Sequence, residues 1–85
     1  MAWWNNDPYN DPRVTAINGS DDYDSDTSTD GTTWTAHAGG SECGASVKNE
    51  MAHAIENGHS IQVNGRVVTI TDRDDNTRTR FVPRR

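Results

Sequence analysis

The stretch "HSIQVNGRVVTITDR", residues 59–73, is where the sequence commits to an architecture. Apolar and polar residues alternate on both sides of Asn64-Gly65, the pair favoured in a two-residue type I′ turn, so the segment reads as a tight β-hairpin. That turn sets Val63 opposite Arg66, Gln62 opposite Val67, Ile61 opposite Val68 and His59 opposite Ile70. Ile61, Val63, Val68 and Ile70 then share one face, which needs apolar cover.

The cover lies just upstream. In "ECGASVKNEMAHAIENG", Cys43, Val47, Met51 and Ile55 recur every four residues and form a stripe along an α-helix, widened by Ala54. Ser41 is the expected N-cap, Glu42 suits the first turn, and Gly58 suits the left-handed position that ends a helix, so a helix is predicted over 42–57. Downstream, "DRDDN" turns the chain back into "TRTRFV", with Thr77, Thr79 and Phe81 on one face and Arg78, Arg80 and Val82 on the other. The expected fold is α+β: one helix packed on a three-stranded antiparallel β-meander, residues 42–85.

Residues 1–41 read as an acidic, aromatic-containing arm, flexible or partly ordered and able to add a short strand. The unit Asn-Asp-Pro occurs at 6–8 and 10–12, where proline bars helix for the preceding residue and Asp starts a turn. Val14 with Ile17, and "TTWTAHA" at 32–38, are candidate short strands. The apolar residues of 42–85 offset too little ordering entropy on their own, so Trp34, or Trp3, Trp4 or Tyr9, is expected to complete the core.

Charge divides the chain in the same way. Residues 1–41 hold seven acids against Arg13, a balance of −6, and residues 42–85 hold six acids against seven bases, a balance of +1. The opening "MAWWNNDPYNDP" lacks the basic and apolar runs of a signal peptide, and no stretch approaches the roughly 20 apolar residues of a membrane helix. With one cysteine, Cys43, the expectation is a soluble, cytoplasmic protein that makes no membrane contact.

Four chemistries can be weighed against these residues. Asp26, Ser28, Asp30 and Gly31 match the first half of a calcium loop, but the twelfth position, where such a loop needs Glu, is His37, so no metal is expected. His37, Cys43, His53 and His59 have no zinc spacing, and ten helical residues, about 15 Å, separate Cys43 from His53. Ser41 and Cys43 at a glycine-rich helix start lack a positioned base, so neither catalysis nor a cofactor is expected. Arg66, Arg73, Arg78, Arg80, Arg84 and Arg85 could form a basic ribbon for DNA or RNA, although Asp72, Asp74 and Asp75 lie among them.

The favoured expectation uses the acids. Asp21, Asp22, Asp24, Asp26 and Asp30, spaced along extended chain, can mimic a phosphate backbone, with Trp3, Trp4 and Tyr9 as aromatic anchors. In size, acidity and lack of enzyme motifs the chain is similar to small phage and mobile-element accessory proteins, including inhibitors of host defence; this similarity is compositional and carries over no residue. The expected function is a non-enzymatic inhibitor or adaptor docking on a host protein with a basic surface, and the alternative is a nucleic-acid-binding protein using the arginine ribbon.

Gly65→Val should lower the unfolding free energy by more than about 1 kcal/mol, because a β-branched residue is strained at the positive φ of a tight hairpin turn. Urea denaturation measures it, and an unchanged midpoint would place the turn elsewhere.

Overall fold

The computed structural model describes residues 7–84, except for the side chains of residues 37–41. A short helix α1 (Pro12–Thr15) leads into strand β1 (Asp22–Ser28) and strand β2 (Thr35–Cys43); the main helix α2 (Gly44–Glu56) follows, then β3 (Ser60–Asn64), β4 (Val67–Thr71) and β5 (Arg78–Pro83). The five strands form one sheet in the order β2-β1-β5-β4-β3, and every pairing is antiparallel. The fold is therefore mixed α+β and richer in sheet than its second half alone implies. Among the described residues no helix is long and apolar enough to cross a membrane.

The expected meander is present as β3-β4-β5, but it is only part of the sheet. Residues 22–28 and 35–41, expected to belong to an arm, supply two strands together with residues 42–43, expected to open the helix. The reason is alternation. In "DYDSDTS" the buried Tyr23 and Ser25 point to the core while exposed Asp22 and Asp24 point away. β1 can then lie between two neighbours, pairing Ser25 with Phe81 and Asp26 with Arg80 on one side and Tyr23 with Glu42 on the other. Its register with β2 jumps from Asp24↔Ser41 to Asp26↔Ala36, a bulge that absorbs the "HAGG" run.

The hairpin register also differs from expectation. Ile61 faces Ile70, Val63 faces Val68 and Asn64 faces Val67, so the central turn residues are Gly65 and Arg66. Gly65 has a φ of 61° and Arg66 is not among the residues with positive φ, the pattern of a type II′ turn rather than I′. This register sets apolar residues directly opposite each other, where the expected one would waste Val63 on Arg66 and Ile70 on His59. The shift is an even number of residues, so the face assignments survive. β5 follows the expected alternation, with Phe81 opposite Val68 and Thr79 opposite Ile70.

One apolar cluster fills the space between sheet and helices: Val14, Ile17, Tyr23, Val47, Met51, Ala54, Ile61, Val68, Ile70 and Phe81. Among the described residues the first half does complete the core, but through Tyr23, Val14 and Ile17 rather than Trp34 or Tyr9; Trp3 and Trp4 lie outside the described residues. Val14 and Ile17 lie on and just after a helical turn, not on a strand. Each Asp-Pro pair opens such a turn by the same device: Asp7 caps the 3-10 turn Pro8–Asn10 through the Tyr9 amide, and Asp11 caps α1 through the Arg13 amide.

Helix α2 ends as expected and begins differently. At its C-terminus the Gly58 amide bonds the Ile55 carbonyl and the His59 amide bonds the Ala54 carbonyl, with Gly58 at a φ of 76°, a Schellman motif. At its N-terminus the cap is Cys43 rather than Ser41, and it makes no side-chain capping bond. Backbone replaces it: the Gly44 amide donates to the Asp21 carbonyl at 2.6 Å and the Ala45 amide to the Gly19 carbonyl at 3.1 Å. Cys43, expected on the core stripe, is consequently exposed.

That docking requires glycine, since a Cβ on Gly44 would lie 1.9 Å from the Asn18 carbonyl oxygen. Gly44→Ala is predicted to cost about 1–3 kcal/mol by overpacking, despite alanine's better helix propensity. Gly19→Ala, whose Cβ would meet nothing closer than 3.8 Å, should change stability by less than about 0.5 kcal/mol. Thermal melts of the two variants side by side check the contrast.

Candidate functional site

The aspartates of β1 and the arginines of β5 meet on the face of the sheet that α2 leaves open. Cross-strand register puts Asp26 directly opposite Arg80. Arg80 donates Nε to Asp26 Oδ1 at 3.0 Å and Nη2 to Oδ2 at 2.6 Å, a two-pronged ion pair. The Trp34 ring stacks on the guanidinium, with Cζ 4.1 Å from the ring centroid. Arg80 is 32% exposed and Asp26 21%, so water screens the pair only in part. The Asp26 hydrogen bonds hold the Arg80 pKa above its ordinary value in spite of burial.

Two further pairs extend this seam. Arg84 Nε donates to Asp24 Oδ1 at 2.8 Å, with both side chains about half exposed, and Arg66 Nη2 donates to Asp21 Oδ2 at 2.6 Å. Asp21's hydrogen bond raises the Arg66 pKa. Beneath this pair Tyr23 is fully buried; burial pushes its phenol upward, Asp21's charge adds to that, and Arg66 opposes it.

The two surfaces expected to compete for partners are thus brought together and spent largely on each other. Asp21, Asp24 and Asp26 pair with Arg66, Arg84 and Arg80. Asp22 is exposed. Asp30 closes the β1–β2 turn, accepting from the Thr32 and Thr33 amides at 2.8 Å and from Ser28 Oγ at 3.0 Å; those amides hold its carboxyl far below the usual range. Asp26 therefore faces an arginine and Asp30 a turn. The Arg78 guanidinium packs where a Cβ on Gly31 would stand, and Arg73 lies 3.6 Å from Asp74 in the β4–β5 turn. Tyr9 is exposed and hydrogen-bonds Asn49 of α2. Trp3, Trp4 and Arg85 lie outside the described residues.

The exposed Cys43 thiol stands 3.6 Å from Ser46 Oγ, and that hydroxyl followed by the Ser46 amide lowers its pKa. His53 lies beside Glu56, and His59 faces Asp72 and the Arg73 amide.

What sequence reasoning missed is on the opposite side, around the C-terminal half of α2. A groove of about 650 Å³ between the Asp-Pro turns and the helix is lined by Asp7, Asp11, Pro8, Pro12, Ile55 and Glu56, together with Asn10. Across the helix, two lobes of about 210 and 220 Å³ share His59, Ile70 and Thr79. Glu50 and His53 border the first lobe over an apolar floor that includes Ala54 and Phe81, and Asp72 and Asp75 border the second. Among the described residues lining these grooves none is Lys or Arg. The carbonyl end of α2 adds partial negative charge between them. Glu50, Glu56, Asp72 and Asp75 are scattered in sequence, so only folding shows that they surround one helix end.

Compared with known proteins, the chain matches no family model, and no curated protein or solved structure is significantly similar to it.

A double-mutant cycle of Asp26→Ala and Arg80→Ala, followed by urea unfolding, should give a coupling of about 1 kcal/mol. The same cycle on the more exposed Asp24 and Arg84 should give only about 0.3 kcal/mol. Equal couplings would remove the seam's partial burial as a source of stability.

Proposed function

We propose that the chain is a small non-enzymatic binding module, an inhibitor or adaptor that docks on a protein with a basic surface. Its docking face is the acid-lined surface on both sides of the C-terminal half of α2. One observation supports this reading above others: Arg80 and Arg84 are ion-paired with Asp26 and Asp24, while Glu50, Glu56, Asp72 and Asp75, which border the helix grooves, have no Lys or Arg among their fellow lining residues. Among the described groove acids Asp11 alone is ion-paired with an arginine, Arg13. Long-range attraction to a basic partner follows from the net charge of −5, and apolar floors such as Ile70 and Phe81 give an inserted side chain contact area. A phosphate-binding ribbon on β5 would first have to break its own ion pairs, at the cost of exposing or stranding Asp24 and Asp26. The acidic stretch at 21–31 then acts as structure more than as decoy.

NMR titration of the isotope-labelled chain with an oligo-arginine peptide should move amides around 50–59 and 72–79. A short DNA duplex at the same salt should leave the β5 amides in place. Glu50→Gln with Glu56→Gln should slow association with the peptide by about threefold and weaken its salt dependence, and Asp22→Asn should change little. Duplex-induced shifts centred on Arg78, Arg80 and Arg84 would replace this reading with nucleic-acid binding.

A further inference from the structure

His59 stands where three elements meet. It is the third residue past the end of α2, it directly precedes β3, and its ring lies against the β4–β5 turn. Nδ1 accepts the Arg73 amide at 3.1 Å, Nε2 is 3.8 Å from Asp72 Oδ2, and the side chain is 19% exposed. The same seam is close-packed next door, where a Cβ on Gly58 would come within 3.1 Å of Arg73 Nη1. The turn itself is wound on Asp72, whose carboxylate accepts the Asp74 amide at 2.7 Å and whose carbonyl accepts the Asn76 amide at 3.0 Å.

We infer that His59 is a protonation-controlled latch that ties the β4–β5 turn, one wall of the acid-lined groove, to the end of α2. The requirement is chemical. An imidazole nitrogen accepts a hydrogen bond only while it carries no proton, so the observed bond needs Nδ1 bare, with the ring hydrogen on Nε2 toward Asp72. Once protonated, the ring carries N–H on both nitrogens, and Nδ1–H faces the Arg73 N–H, donor against donor. The bond cannot then form in this geometry.

The charged surroundings favour movement rather than a mere loss of contact. From the turn come Asp72, Asp75 and Arg73, and from α2 come Glu50 and His53, which share the first lobe with His59. Asp75 is held below its ordinary pKa chiefly by the Thr77 amide and hydroxyl, with a smaller contribution from the His59 charge. Carboxylates therefore outnumber fixed cations around the ring, and a protonated His59 is drawn toward Asp72 and Asp75, away from the Arg73 amide. Two effects follow: residues 72–77 lose their tie to the helix, and the groove gains a positive charge that repels a basic side chain. Only the second effect rests on the docking reading proposed above; the latch belongs to the free chain.

Hydrogen exchange of the Arg73 amide in the free, full-length chain tests it, read by NMR at about pH 8 and about pH 5 beside the His59 ring resonance. Expressed as protection relative to the intrinsic rate, Arg73 should lose about tenfold at the lower pH while Met51 and Val68 keep theirs. His59→Asn supplies an uncharged acceptor near the place of Nδ1 and should keep Arg73 protected at both pH values, whereas His59→Phe should leave it unprotected at both. Equal protection of Arg73 in the wild type at both pH values overturns the latch, as does a loss that persists in His59→Asn. Failure of oligo-arginine to bind at either pH would sink the docking reading and leave the latch standing.

Discussion

A strand carrying Asp24 and Asp26 can lie inside a sheet only if its neighbour answers those charges. β5 does so, with Arg80 opposite Asp26 and Arg84 reaching Asp24. Without β1–β5 pairing the sheet divides into a β1–β2 hairpin and a β3-β4-β5 meander, each too small to stand alone. The ion pairs add geometric definition more than raw stability, since desolvating charges offsets much of their attraction. On the other face of the same two strands Tyr23, Ser25 and Phe81 meet α2, and there burial of apolar area supplies the driving force.

Helix α2 is held at both ends by backbone. Carbonyls of Gly19 and Asp21 receive its first amides, and the Schellman turn at Gly58 closes its last carbonyls, so neither end relies on a side-chain cap. Lys48 Nζ adds a tie to the Ile17 carbonyl at 2.6 Å, which draws the segment carrying Val14 and Ile17 onto the helix. The helix is thus fixed over the core with its polar C-terminal half outward, and Glu50, His53 and Glu56 are presented between grooves rather than along an isolated stripe. A rigid element bearing charge loses little entropy on docking, which favours the proposed interaction surface there.

The division of charge along the chain suggested two surfaces that would each seek a partner outside the molecule. Folding instead pairs Asp21, Asp24 and Asp26 with Arg66, Arg84 and Arg80. The alternation in "DYDSDTS" was a legible strand signal, with Tyr23 as its inward residue. It was obscured because aspartate is depleted in strands and because its partner Arg80 lies 54 residues away.

By itself the sequence determined α2, the β3–β4 hairpin, the faces of β5 and the cap at Gly58, because each depends on periodicity or turn chemistry within a few residues. Side-chain alternation survived even a two-residue error in hairpin register, since faces depend only on parity. Tertiary structure alone decided that turn's type, where the pairing of Ile61 with Ile70 and Val63 with Val68 outweighed the local preference for Asn-Gly at its centre. It likewise decided that β1 is a central strand, that α2 begins after Cys43 against the loop at Gly19, and that acids distant in sequence gather at one helix end. These outcomes depend on contacts between residues tens of positions apart, where no local pattern distinguishes a carboxylate that will find an arginine from one that will face water.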